Sequence, residues 1–179
     1  MNSLWENRYI LAIEGRAAAG KTTLAKRIAE RFGASVIHMD DFFLPAQLRT
    51  RERYGQPGGN IHLERFQKEI LEPLKNGTLS EYRRFDCRRM EYQKEPIILP
   101  YDKFYIVEGA YSTHPIFGKY YDASIFADIS KETQQKRIIA RNGAEGFQTF
   151  AQKWIPLEEN YFETFEIFTK CDYIISSPS

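Results

Sequence analysis

Tyr9-Ile10-Leu11-Ala12-Ile13-Glu14-Gly15-Arg16-Ala17-Ala18-Ala19-Gly20-Lys21-Thr22-Thr23-Leu24-Ala25 is the stretch on which the reading of this chain turns. Tyr9 to Ile13 is apolar on both faces of an extended backbone, as a strand covered by helices on both sides must be, and it reads as the central strand of a sheet. Further on, Ala25, Ile28, Ala29 and Phe32 fall at i, i+3, i+4 and i+7. Gly33 follows where a helix C-terminus favours a left-handed residue. Between strand and helix, Gly15 to Thr22 fits G-x-x-x-x-G-K-[ST] without exception. The pattern alone recurs by chance, and its place between a buried strand and an amphipathic helix is what gives it weight. Glycines there let backbone N–H groups wrap phosphates, and the helix N-terminus adds its partial positive charge. Gly15, Arg16, Ala17, Ala18, Ala19 and Gly20 would form the cradle. Lys21 would reach the β- and γ-phosphates of ATP or a close relative, Thr22 would place its hydroxyl on Mg²⁺, and Thr23 would touch the α-phosphate. The plain alternative is a glycine-bearing turn with a solvated lysine.

The rest of the sequence fits one domain spanning residues 1–179. A chain of that length buries roughly 70% of the surface it exposes when unfolded. The composition is 42% hydrophobic and 27% charged, without a biased tract. Lys plus Arg number 25 against 24 Asp plus Glu, so no global positive field points to nucleic acid or an anionic membrane. Cys87 and Cys171 have neither metal-ligand nor redox spacing and read as reduced thiols. The first residues lack the apolar stretch of a signal peptide, and no segment approaches the roughly 20 apolar residues of a membrane span. A cytoplasmic address is therefore expected, while the oligomeric state leaves no trace.

Short apolar runs alternate with segments of helical period, which predicts an α/β fold around a parallel sheet. Besides Tyr9 to Ile13, strands are expected at Ser35 to Met39, Phe104 to Val107, Ser124 to Ile129 and Tyr173 to Ile175. Helices are expected at His62 to Leu74, at Lys131 to Arg141 with a stop at Asn142-Gly143, and at Leu157 to Phe168. Trp154 and the aromatics of the last helix read as core. Residues 45 to 60, rich in Pro, Gly and Arg, read as loop. Residues 79 to 99 lose the helical period, and extended stretches at Tyr82 to Cys87 and Pro96 to Leu99 suggest a small hairpin lobe beside the sheet.

Two carboxylate positions stand at predicted strand ends. Val36-Ile37-His38-Met39 runs into Asp40-Asp41-Phe42-Phe43, and Phe104 to Val107 runs into Glu108-Gly109. Both lie on the sheet edge that carries the glycine loop, where ligands bind in open α/β sheets. A carboxylate there can take the proton of an attacking hydroxyl and help hold a metal. Turn capping or a structural salt bridge would also explain such residues.

Together, the glycine loop, Asp40-Asp41-Phe42-Phe43, Ile106-Val107-Glu108-Gly109 and Arg137-Ile138-Ile139-Ala140-Arg141 resemble the uridine kinase, phosphoribulokinase and nicotinamide riboside kinase group of P-loop phosphotransferases. The resemblance spans most of the chain. It implies a P-loop NTPase fold of the nucleoside-monophosphate-kinase type, with a five-stranded parallel sheet flanked by helices, a hairpin insertion and a lid near residues 137–150. It also implies ATP and Mg²⁺ as partners, Asp40 as catalytic base, Asp41 in a secondary role, and Glu108 beside the metal. Arg137 and Arg141, spaced i and i+4 and so on one helix face, would be the lid arginines that close on the transferring phosphoryl group. The implied activity is transfer of the γ-phosphate to a hydroxyl of a small metabolite. An ATPase or nucleotide-binding regulatory module without an acceptor is the competing class.

The resemblance fails where the acceptor is chosen. Uridine kinases carry an aromatic-Asp-His-Pro-Asp run, whose aspartate holds ribose hydroxyls, whereas Gln56-Pro57-Gly58-Gly59-Asn60-Ile61-His62 stands here. Their Tyr-Asp run with a following histidine is replaced by Phe85-Asp86-Cys87-Arg88-Arg89-Met90. If Tyr82 to Met90 is extended, Arg84, Asp86 and Arg88 share a face at about 7 Å spacing, and two guanidinium groups there would grip an anionic acceptor. An arginine-rich edge that discourages sheet pairing is the structural alternative. Tyr54, in the loop after the Asp40 motif, is a further candidate acceptor contact, and His62 and His114 read as structural.

Overall fold

The apolar runs pair side by side, as their two-faced hydrophobicity requires. In the computed structural model, which describes residues 8–78, 80–87 and 89–176, the strands in chain order are β1 (Tyr9–Gly15), β2 (Ser35–His38), β3 (Ser80–Tyr82), β4 (Phe85–Asp86), β5 (Glu91–Tyr92), β6 (Ile97–Leu99), β7 (Phe104–Glu108), β8 (Ala123–Asp128) and β9 (Tyr173–Ser176). Five of them make one parallel sheet in the order β2-β7-β1-β8-β9. These are the five strands expected from sequence, with ends displaced by a residue or two. β1 is central, and Ile10, Ala12 and Ile13 have no exposure.

Parallel neighbours need crossover connections, and these cover both faces. On one side Leu11, Ile13 and Ile106 pack against Ala25, Leu24 and Ile28 of the helix Lys21–Phe32. On the other, a larger cluster joins Ile10, Tyr105 and Val107 to Phe42, Phe66, Ile70, Tyr161 and Phe162. From β1 the chain crosses towards β2, and from β7 it crosses towards β8. Their diverging loops leave a crevice at the C-terminal ends of these two adjacent strands, the arrangement in which open α/β sheets bind ligands.

Four departures from the sequence reading bear on that crevice. The helix from Lys131 is broken at Gly143 (φ 75°, ψ 173°) but resumes and runs to Thr149. A wide π turn, Phe150–Trp154, then leads into Ile155–Thr164. The expected last helix therefore starts earlier, with Pro156 in its first turn, where a missing N–H costs nothing. It ends where Glu166 turns left-handed at φ 55°. In the loop 45–60, a one-turn helix Arg51–Tyr54 forms because the Thr50 side chain accepts from Arg53 N. The 79–99 lobe is two short antiparallel ladders, β3 with β6 and β4 with β5, so Arg83 and Arg84 fall between strands and Cys87 lies in a turn. No helix among the described residues is long and apolar enough to cross a membrane.

Candidate active site

The phosphate loop leaves β1 at Gly15, whose φ of 134° suits only glycine. A Cβ there would stand 2.2 Å from the Ala127 carbonyl oxygen. That crowding is the consequence of close pairing with β8, to which Arg16 N also donates (3.1 Å to Ala127 O). The Arg16 side chain turns away from the loop interior to Asp128 and Glu159. Lys21 folds back over the loop, its Nζ donating to the carbonyls of Gly15 (2.7 Å) and Arg16 (2.8 Å). The helix Lys131–Thr149 supports the loop from the other side, with Gln134 Nε2 on Ala17 O and Arg137 on Ala18 O (3.2 Å).

Both strand-end carboxylate positions meet this loop. Glu108, nearly buried at the end of β7, accepts from the Thr22 hydroxyl at 3.0 Å and pairs with His38 Nδ1 at 2.5 Å. The hydrogen bond to Glu108 lifts the His38 imidazole above its ordinary range, so the protonated ring is favoured there. Asp40 and Asp41 occupy a 3₁₀ turn, Met39–Phe42. Three residues per turn rotate neighbouring side chains about a third of a circle apart, and the two aspartates accordingly diverge. Asp40 opens into the crevice, where the surrounding protein raises its carboxyl against the pull of Lys21. Asp41 is buried against the Tyr82 hydroxyl (3.2 Å) and Arg84 Nε (3.2 Å).

The crevice is a cavity of about 480 Å³. Ala17, Ala18, Gly20, Lys21, Thr22, Thr23, Asp40 and Glu108 line it, as do Arg137 and Arg141. Thus the loop, the base position, the metal position and the arginine pair, chosen from four separate segments, are brought together. Its lining is also aromatic, with Phe43, Tyr111, Phe150 and Trp154, and includes Asn60, Cys87 and Glu158. Trp154 is a half-buried wall residue, contrary to its core reading, because the π turn carries it and Phe150 to the cavity.

The expected acceptor grip does not form as drawn. Arg84 is engaged with Asp41, and Asp86 accepts from Arg89 N in a turn. Arg88 lies outside the described residues. The Tyr54 ring lies 5.2 Å from Lys153 Nζ, and none of Asp41, Tyr54, Arg84 and Asp86 lines the cavity. The physical reason is the break between β3 and β4, which ends the alternation that would have aligned those side chains. His114 is structural as read, stacked on Tyr161 and bonded to Pro57 O.

Three residues at the site were missed. Glu14, fully buried, accepts from the backbone N–H groups of Gly15, Tyr111 and Thr113 and from the hydroxyls of Thr113 and Tyr161, all at 3.0 Å. A charge at the end of an apolar strand was its one sequence signal. Glu158 accepts from Ala17 N at 2.9 Å. Burial, with Asp40 and Glu14 nearby, pushes its carboxyl up to about 7 despite Lys21. Asn60 is 2% exposed. Glu158 sits among polar neighbours and carried no signal, while Asn60 lies in the Gln56 to His62 stretch that replaces the acceptor motif but was not singled out within it.

The overall arrangement has known counterparts. A possible uridine kinase from Bacillus stearothermophilus superposes with a TM-score of 0.72 at 19% identity, covering 94% of this chain and 88% of that one. A candidate fructose transport system kinase from Silicibacter sp. TM1040 gives 0.73 at 20% identity, covering 98% and 93%. This chain shares their α/β fold. A D-glycerate 3-kinase from Cryptococcus neoformans shares it more loosely, at a TM-score of 0.57 and 14% identity over 85% and 78% of the two chains. No protein-family model and no curated protein matches the sequence. The shared fold is thus carried by the three-dimensional arrangement, with little sequence identity behind it.

Proposed function

We propose that this protein is a small-molecule kinase of the uridine kinase-like group, which transfers the γ-phosphoryl group of ATP to a hydroxyl of a small metabolite. The observation that carries this reading is the shared cavity: Asp40 faces the same space as Lys21 and Thr22, with room beyond it for an acceptor. The kinases that share the fold lend support.

The chain's own residues divide the work. Loop N–H groups and Lys21 bind the triphosphate, Lys21 exchanging the Gly15 and Arg16 carbonyls for phosphate oxygens. Asp40 orients the attacking hydroxyl and takes its proton. Arg137 and Arg141 neutralise charge on the transferring group, so that the protein mainly positions and stabilises.

The oxygens of Thr22, Asp40 and Glu108 suit Mg²⁺, a hard cation that keeps several waters and takes few protein ligands beside phosphates. When bound, Mg²⁺ supplies charge neutralisation across the β- and γ-phosphates.

The test is turnover of ATP and Mg²⁺ with and without nucleosides, ribosides, vitamins and sugars, products being read by mass spectrometry. A phosphorylated acceptor is expected, with Asp40→Asn reducing its formation at least about 100-fold. Acceptor-independent hydrolysis that survives Asp40→Asn would instead establish an ATPase.

A further inference from the structure

Charged groups of both signs line the cavity. Its lining cations among the described residues are Lys21, Arg137 and Arg141. Lys21 and Arg137 are bonded to phosphate-loop carbonyls, and Arg141 follows Arg137 by one helical turn. Three carboxyl groups line the cavity as well: Glu108, which accepts from the Thr22 hydroxyl, and Asp40 and Glu158. Arg84, the cation best placed by sequence to receive an anion, is committed to Asp41.

Asn60 adds a hydrogen-bonding demand. Its backbone carbonyl accepts from Leu44 N at 3.1 Å, which fixes the residue at the cavity wall. Its Oδ1 is buried without a hydrogen-bond partner among the described residues. A buried acceptor left unmatched is costly, and a site with such a group favours a ligand that donates to it. Glu158, whose Oε2 is held by Ala17 N–H, lines the same cavity.

We propose that Asn60 and Glu158 read the acceptor, and that the acceptor is a neutral polyhydroxyl compound rather than a phosphate or carboxylate. One hydroxyl faces Asp40 and is phosphorylated; a second donates to Asn60 Oδ1. Ring or carbon faces of the acceptor lie against Phe43 and Trp154, whose ring centres are 5.7 Å apart. The carboxyl groups of Asp40 and Glu158 offer an anionic competitor no cationic partner. This inference rests on the kinase reading and revises the anionic acceptor suggested by Arg84 and Arg88.

Matched pairs test it: D-ribose with D-ribose 5-phosphate, D-fructose with D-fructose 6-phosphate, and glycerol with D-glycerate, each at millimolar concentration with ATP and Mg²⁺. The neutral member of a productive pair should lead by about 100-fold in kcat/KM. Asn60→Leu should lower kcat/KM for that acceptor by about 10- to 100-fold at unchanged KM for ATP. Asn60→Asp, which keeps an acceptor oxygen, should retain most of the rate, a rescue that a purely structural role would not produce. Glu158→Gln should narrow the gap between neutral and anionic members. Equal use of both members, or preference for the anionic one with dependence on Asp40, overturns the inference and leaves the kinase reading standing. Failure of every neutral member overturns it as well, and if only acceptor-independent hydrolysis is seen, the kinase reading falls with it.

Discussion

Replacing Glu158 by glutamine should make the nucleotide-free protein more stable at alkaline pH. The Glu158 carboxyl, ordinarily at 4.5, is raised to about 7 chiefly by burial. Between those values the folded protein holds the proton more tightly than the unfolded chain does. Its contribution to stability is therefore fully present below pH 4.5 and is lost as pH rises through about 7. At about 1.36 kcal/mol per pH unit the interval amounts to roughly 3 kcal/mol. Because the side chain is half-buried rather than sealed, solvent screening trims this to about 2 kcal/mol. Glutamine has nearly the same shape, its Oε1 can accept from Ala17 N–H, and it carries no charge. Urea unfolding at pH 4.5, 6 and 8 should therefore show a higher midpoint for Glu158→Gln at pH 8, by about 2 kcal/mol at constant m. The advantage should vanish near pH 4.5. A variant no more stable than wild type at pH 8, or an advantage independent of pH, would refute the argument that this charge is held at a cost.

Gly15→Ala should destabilise by about 3 kcal/mol or more, since it combines a left-handed φ with a Cβ driven into the Ala127 carbonyl; a thermal midpoint within experimental error of wild type would contradict the tight pairing of loop and β8. Tyr161→Phe removes a hydroxyl bonded to the buried Glu14 carboxylate and should cost about 1.5–3 kcal/mol by chemical denaturation. A loss below about 0.5 kcal/mol would mean that the last helix is not anchored through Glu14.

The strand-loop-helix unit at Tyr9 to Phe32 was legible because everything that forms it is local: hydrophobic period, glycine placement, and a pattern confined to adjacent residues. The five strands were legible for the same reason. Asp40, Glu108, Arg137 and Arg141 were legible because strand ends and helix faces can be assigned from period alone, and the topology then gathers them at one edge. Even so, nothing in two successive aspartates says which one faces the cavity; the 3₁₀ turn decides that.

The acceptor half was beyond local reading. Glu158 reaches Ala17 across 141 positions, and Glu14 is bonded to Tyr161 across 147. Neither contact leaves a period or motif, since Glu158 in Leu157-Glu158-Glu159-Asn160 looks like any solvated helix turn. Arg84 misled for the converse reason: its supposed alternation with Asp86 assumed an unbroken strand, and the chain breaks between β3 and β4. Sequence by itself thus determined the sheet and the phosphate loop, which depend on neighbouring residues. Tertiary structure alone decided which of the two aspartates lines the cavity and which polar and aromatic groups line it beside that aspartate, because those depend on side chains brought together from distant parts of the chain.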